Sequence, residues 1–196
     1  MSFLTGTTAE LIYVNTAAGT AKSTFTSETT INDTAGMGAQ ACLPAFFFPS
    51  SPTTAGKTLR IVARGIFSTT ATPTYTFTCR LGAAGSTSAA IVLGSAALTT
   101  GSGVSNQLFE FEGDVTLSAP AGAAGANTTA RGTGLIQSSG FASPFAGALF
   151  GGAASPGTVA TLDTSITNYV NFNVACSASS ASNSITLLHL MVYGLN

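Results

Sequence analysis

The stretch ITLLHLMVY, residues 185–193, decides how this chain is read. Ser182-Asn183-Ser184 precede it and Gly194 follows, both turn-like. It is too short for a typical helix, and its Ile, Val, Thr and Tyr favour an extended strand. A strand sends alternate side chains to opposite faces. One face would hold Ile185, Leu187, His189, Met191 and Tyr193, the other Thr186, Leu188, Leu190 and Val192. Both are mostly apolar, whereas an antiparallel strand with one wet face alternates. The strand is therefore expected to be covered twice, by its own core and by a second copy of the chain. That places Leu188, Leu190 and Val192, with His189 beside them, at an oligomer interface.

Upstream, the same period of two recurs. In KTLRIVARGIF (57–67), Leu59, Ile61, Ala63, Gly65 and Phe67 face one way and Arg60, Val62, Arg64 and Ile66 the other. TYTFTCRL (74–81) sets Tyr75, Phe77, Cys79 and Leu81 against threonines and Arg80. LFEFEGDVTL (108–117) sets Phe109, Phe111, Gly113, Val115 and Leu117 against Leu108, Glu110, Glu112, Asp114 and Thr116. YVNFNVAC (169–176) points Val170, Phe172, Val174 and Cys176 inward and Tyr169, Asn171 and Asn173 outward. Weaker strands are expected over 23–31, 89–98, 128–137 and 157–163, and an edge piece fenced by prolines over 43–49. Turns rich in Gly and Pro separate these segments, and none has a helical period. The pattern predicts an all-β fold, a jelly-roll-like antiparallel β-sandwich, with an up-and-down barrel as the alternative. Residues 1–23 alternate weakly and read as an extended N-terminal arm ordered by neighbours, with Leu11, Ile12, Tyr13 and Val14 as its gripping stretch. Residues 24–196 form the sandwich domain.

Charged residues make up 7% of the 196 positions, against roughly 25% in ordinary soluble domains. Such a surface resists association poorly, so the chain is expected inside an assembly. Six basic residues and a net charge of -1 supply no basic stripe for nucleic acid. No apolar run approaches the ~20 residues needed to span a bilayer as a helix. The amino end lacks a basic segment followed by an apolar core, so no signal peptide is expected. Cys42, Cys79 and Cys176 are widely spaced and form no metal or redox pair, and they read as buried free thiols.

Catalytic and cofactor chemistry finds no footing. Gly56-Lys57-Thr58 resembles the end of a phosphate loop, but the required earlier glycine is Ser51 and a strand follows instead of a helix. His189 is the single histidine, with no Ser or Cys and carboxylate set to converge on it. Glu110, Glu112 and Asp114 share a strand face and could hold a hard cation such as calcium. Arg60, Arg64 and Arg80 also point outward, and ion pairing across strands or subunits is the preferred reading. No enzyme activity, cofactor or metal is expected.

Ser27-Glu28-Thr29-Thr30-Ile31, Leu43-Pro44-Ala45, Gly56-Lys57-Thr58-Leu59-Arg60-Ile61 with Gly65, and Pro73-Thr74-Tyr75-Thr76-Phe77 with Arg80-Leu81-Gly82 form a series of fold-level motifs. It resembles virion structural proteins of tailed bacteriophages, of the capsid decoration (cement) or head-fibre type. The resemblance implies a β-sandwich, often trimeric, made in the host cytoplasm and carried on the capsid surface. Its partners would be itself and the major capsid protein, with no nucleic acid and no membrane. In that setting the arm would pin neighbouring capsid subunits. The alternative is a fibre-tip or lectin-like protein binding a receptor glycan. Of the four tyrosines, Tyr13 and Tyr169 are the ones open to such a role.

Overall fold

The computed structural model describes residues 9–33, 37, 41–43, 57–117, 128–143, 147–150 and 160–195. The expected proline-fenced piece beyond Leu43, the loop before Lys57, the small-residue loop after Leu117 and the first eight residues of the arm lie outside these. Fourteen strands follow in order: β1 (Ala9–Val14), β2 (Lys22–Ser23), β3 (Thr29–Thr30), β4 (Cys42–Leu43), β5 (Lys57–Ser68), β6 (Thr74–Gly82) and β7 (Ala90–Ser95). They continue with β8 (Leu98–Thr99), β9 (Gln107–Leu117), β10 (Thr128–Gln137), β11 (Gly147–Phe150), β12 (Ala160–Leu162), β13 (Asn168–Cys176) and β14 (Ser184–Leu195).

Among the described residues all pairings between strands are antiparallel, and the long strands nest. β5 pairs with β14, β6 with β13, β7 with β11, and β9 with β10. That is a long hairpin rolled on itself, the pairing of a jelly roll. One layer runs β1-β14-β5-β9-β10 and the other β11-β7-β6-β13-β3, with the β10–β11 ladder joining them. The chain is an antiparallel β-sandwich. Its core is the inner set expected from the period of two: Leu59, Ile61, Ala63, Phe67, Tyr75, Phe77, Cys79, Leu81, Phe109, Phe111, Val115, Leu117, Val170, Phe172 and Val174. Phe77 lies at its centre, 5.3 Å from Phe109 and 6.2 Å from Phe172 between ring centroids. Burial pushes the Cys79 thiol up to about 12, so it stays protonated and packs as an apolar group. Cys176 is also buried, while Cys42 is half-buried.

Gly65 is set by this packing. A Cβ there would lie 2.3 Å from the Thr186 carbonyl and 2.6 Å from the Phe109 ring. Gly65→Ala is expected to lower the unfolding free energy by about 2–3 kcal/mol, the usual size of an overpacked core position. Urea unfolding measures this, and a loss below about 0.5 kcal/mol would show that the β14 backbone and the Phe109 ring both give way.

β14 departs from its sequence reading in one decisive way. Its register against β5 pairs Leu187 with Gly65 and then His189 with Arg64, so Leu188 is the extra residue of a bulge. A bulge shifts the alternation by one. Ile185 and Leu187 before it, and Leu190 and Val192 after it, therefore all enter the same core and are fully buried. The expected interface on Leu190 and Val192 is corrected accordingly: these two side chains are covered by their own chain. Leu188 alone of the three is exposed, at 37%. His189 is half-buried on the outer face opposite Arg64.

Residues 9–43, where described, seal both open edges. β1 and β2 pair along the outer edge of β14. β3 and β4 pair along the outer edge of β13. Residues 9–23 thus lie on the sandwich of their own chain, since an unpaired β14 edge would leave a row of backbone groups open. The long strand expected over 23–31 is replaced by two short pairings, because this segment crosses from one layer to the other. The crossing segment and the connection between β6 and β7 together cover the outward side of β13, so Asn171 and Asn173, expected in water, are fully buried. Asn171 donates to the Ala83 carbonyl at 3.0 Å, and Asn173 to Glu28 at 2.9 Å.

Candidate functional site

The outer face of the β1-β14-β5-β9-β10 layer gathers most of the residues singled out from sequence. The strand registers arrange it in three rows. One runs His189, Arg64, Glu110, Gln137. The next runs Val14, Met191, Val62, Glu112, Leu135. The third runs Leu11, Tyr193, Arg60, Asp114, Thr133. Residues facing each other across strands on one face lie close enough to interact, so a row of apolar side chains interrupted by Glu112 sits between two charged ones.

The charged rows are internally matched. Arg60 grips Asp114 with a two-pronged contact, Nε to Oδ1 and Nη2 to Oδ2, both 2.8 Å. Arg64 donates to Glu110 Oε1 from Nε at 2.8 Å, and Gln137 donates to Oε2 at 3.2 Å. The Arg64 hydrogen bonds hold the Glu110 carboxyl below the usual range; burial opposes this, and Gln137 and the Arg64 charge add to it. Glu112 has only a 3.6 Å approach from Arg60 Nε, which Asp114 already occupies. Guanidinium groups thus stand where a cation shared by the three carboxylates would bind. Among the described residues, no group of three or more His, Cys, Asp or Glu is placed to hold a metal ion.

Arg80 belongs elsewhere. It lies on the outward side of β6 in the other layer and pairs with Glu28 through Nε and Nη2, both 2.7 Å. Glu28 also accepts from Thr78 and Asn173. Sequence reasoning overlooked Glu28, because nothing local marks a carboxylate in a loop as the partner of an arginine far along the chain.

Between β9 and β10 the outer face dips into a depression of about 400 Å³ lined by Glu110, Glu112, Asp114, Thr133, Leu135 and Gln137. Gly113 and Gly134, paired across the two strands, also line it through their backbone; both occupy inward positions, and a Cβ on Gly113 would meet Leu93 in the core. Leu135 is 48% exposed at its wall. At the opposite end of the face, Leu11 is 51% and Val14 40% exposed. Ile12 and Tyr13, the other two residues of the expected gripping stretch, are partly buried against the core. The bulge in β1 between Leu11 and Tyr13 puts Leu11 and Val14 on the same side.

No helix among the described residues is long and apolar enough to cross a membrane. No family profile matches the chain and no curated protein is similar to it. Among solved structures, the CBM2 module of the evolved Dit of Lactobacillus casei BL23 phage J-1 aligns over 98% of this chain and 98% of its own. The identity is 13% and the TM-score 0.35, a level of likeness that carries no argument about function.

Proposed function

We propose that the chain is a non-enzymatic structural protein of a phage virion, a decoration or cement protein that binds the outside of the capsid in several copies, as a trimer in the simplest arrangement. The observation that carries this is the outer face of the five-stranded layer. It is broad, its charges are paired across strands, and it carries Leu11, Val14 and Leu188 exposed along one margin. An exposed apolar margin beside a neutralised polar field fits a protein neighbour better than water. The partners in this reading are sister subunits and the major capsid protein, with nucleic acid and membrane playing no part. The sequence resemblance supplies the capsid; the geometry supplies the surface.

The test is binding of the purified full chain to capsid shells of the phage that encodes it, followed by sedimentation. Leu11→Glu with Val14→Glu is expected to reduce shell binding at least tenfold while leaving thermal unfolding nearly unchanged. Removing residues 1–23 is a poorer test, because it also strips β1 and β2 from the edge of β14. A double variant that binds like the wild type would sink the proposed margin.

A lectin-like role is the second reading, favoured by the depression between β9 and β10 with its planar carboxylates and Gln137. A glycan array decides between the two. A strong glycan hit from a chain that ignores capsid shells would put this reading first.

A further inference from the structure

We infer that the outer face of the β1-β14-β5-β9-β10 layer is a contact between two copies of this chain, stacked face to face about a two-fold axis that runs along the strands between β5 and β9. The inference concerns how copies meet and calls on no partner beyond the chain itself. Charge placement leads to it. The outward side of β5 carries Arg60 and Arg64, and that of β9 carries Glu110, Glu112 and Asp114. The arginines are paired with the carboxylates beside them, and Arg131 on β10 balances the remaining charge. A neutral face striped with opposite charges suits a copy of itself better than a partner of one sign.

The stripes fix the axis. Rotation about it lays β5 over β9 of the second copy and β14 over β10, at unchanged height along the strands. Arg64 then faces Glu110 and Arg60 faces Asp114, so each ion pair lies on the reversed pair of the other copy. The apolar side chains match as well: Ile66 faces Leu108, and Met191 faces Leu135. Leu108 and Leu135 are 56% and 48% exposed. Other two-fold arrangements fail on charge. An axis along β5 stacks arginine on arginine, one along β9 stacks carboxylate on carboxylate, and one crossing the strands through Val62 sets Arg60 against Arg64; such juxtapositions are unfavourable. Area agrees. Four overlapped strands ~4.8 Å apart, each of about 11 residues rising ~3.3 Å, span on the order of 700 Å², close to the roughly 800 Å² per partner of a standard interface. β1, with Leu11 and Val14, lies outside the overlap.

Sedimentation equilibrium of the full chain is expected to show a reversible dimer. Arg60→Glu with Arg64→Glu, and separately Glu110→Lys with Asp114→Lys, should each weaken it at least tenfold, because like charges then face across the axis. An equimolar mixture of the two should restore it, since each supplies the charge the other lost. A second pair of variants reads the axis and leaves the charges alone. Met191 and Leu135 of one chain lie three strands apart, ~14 Å, while those of facing copies stand ~10 Å apart across the two sheets. A short bis-maleimide should therefore link Met191→Cys to Leu135→Cys in a mixture of the single variants and link neither to itself, with the wild type showing how far the native thiols react. Where charge reversal disturbs folding, which thermal unfolding reports, the cross-link decides alone. A wild-type chain that stays monomeric at its highest soluble concentration, folded charge variants that do not associate on mixing, or a trimer in which the two cysteines go unlinked overturns the inference. The decoration reading, tested by shell binding, stands or falls separately.

Discussion

Arg80→Ala is expected to lower the unfolding free energy by about 2–4 kcal/mol, somewhat below the range for a fully buried pair because the site is partly open. The Arg80 and Glu28 side chains are 13% and 22% exposed. Arg80 also donates to the Ala89 carbonyl at 2.5 Å. One guanidinium thus ties together the crossing segment that carries Glu28, strand β6, and the connection between β6 and β7. Removing it leaves the Glu28 carboxylate half-buried with only Thr78 and Asn173 as donors. For a chain of this size the melting temperature should fall by roughly 6–12 °C. Glu28→Ala should cost a similar amount, and the double variant well under the sum, since both remove the same contact.

The pH dependence follows from the same site. Burial raises the Glu28 pKa, but hydrogen bonds from Arg80, Thr78 and Asn173 and the Arg80 charge outweigh it, so the native value lies below the ordinary one. A carboxyl with a depressed native pKa binds protons more weakly when folded. Its contribution is complete above the unfolded value of about 4.3 and disappears as pH falls through the lower native value. Wild type and Glu28→Gln should therefore differ most at neutral pH and converge in acid. A constant difference from pH 7 to pH 2 would show that the Glu28 charge is not what stabilises the clamp.

Asn15→Ala should lower stability by about 2–4 kcal/mol, the combined effect of several lost hydrogen bonds and of backbone groups left unsatisfied. Asn15 is nearly buried at the end of β1, where its side chain serves as a short piece of strand. Its Nδ2 donates to the Leu188 carbonyl at 2.9 Å and the Ala17 carbonyl at 2.7 Å, and its Oδ1 accepts from the Leu190 N–H at 2.6 Å. The Leu188 and Leu190 groups are those at the bulge of β14. Asn32 does the same on β13, donating to Val170 O at 2.7 Å and accepting from Phe172 N–H at 2.8 Å. Without Asn15 the bulge loses its partner, and a one-residue slip would turn Leu190 and Val192 outward. The Leu190 amide should then exchange its hydrogen much faster than in the wild type. Asn15→Asp should also destabilise, because a carboxylate offers no donor to the two carbonyls. Unchanged stability together with a protected Leu190 amide would refute the role given to Asn15.

The inner residues of β5, β6, β9 and β13 were legible from the chain alone, because a buried face imposes a period of two and no other regular structure does. The arginine and carboxylate rows were legible as faces, and their pairing only as an option. Leu190 and Val192 were misplaced because a bulge changes alternation by one residue without leaving a mark in the sequence; the side chain that meets it, Asn15, is more than 170 residues away. Asn171, Asn173 and Glu28 were missed for a related reason, since burial by distant connections depends on where those connections run. Local side-chain pattern, set by the geometry of a single strand, determined the all-β character and the core. Which edges are sealed, which face stays open and which arginine meets which carboxylate were decided by tertiary structure, because each depends on distant segments meeting in space.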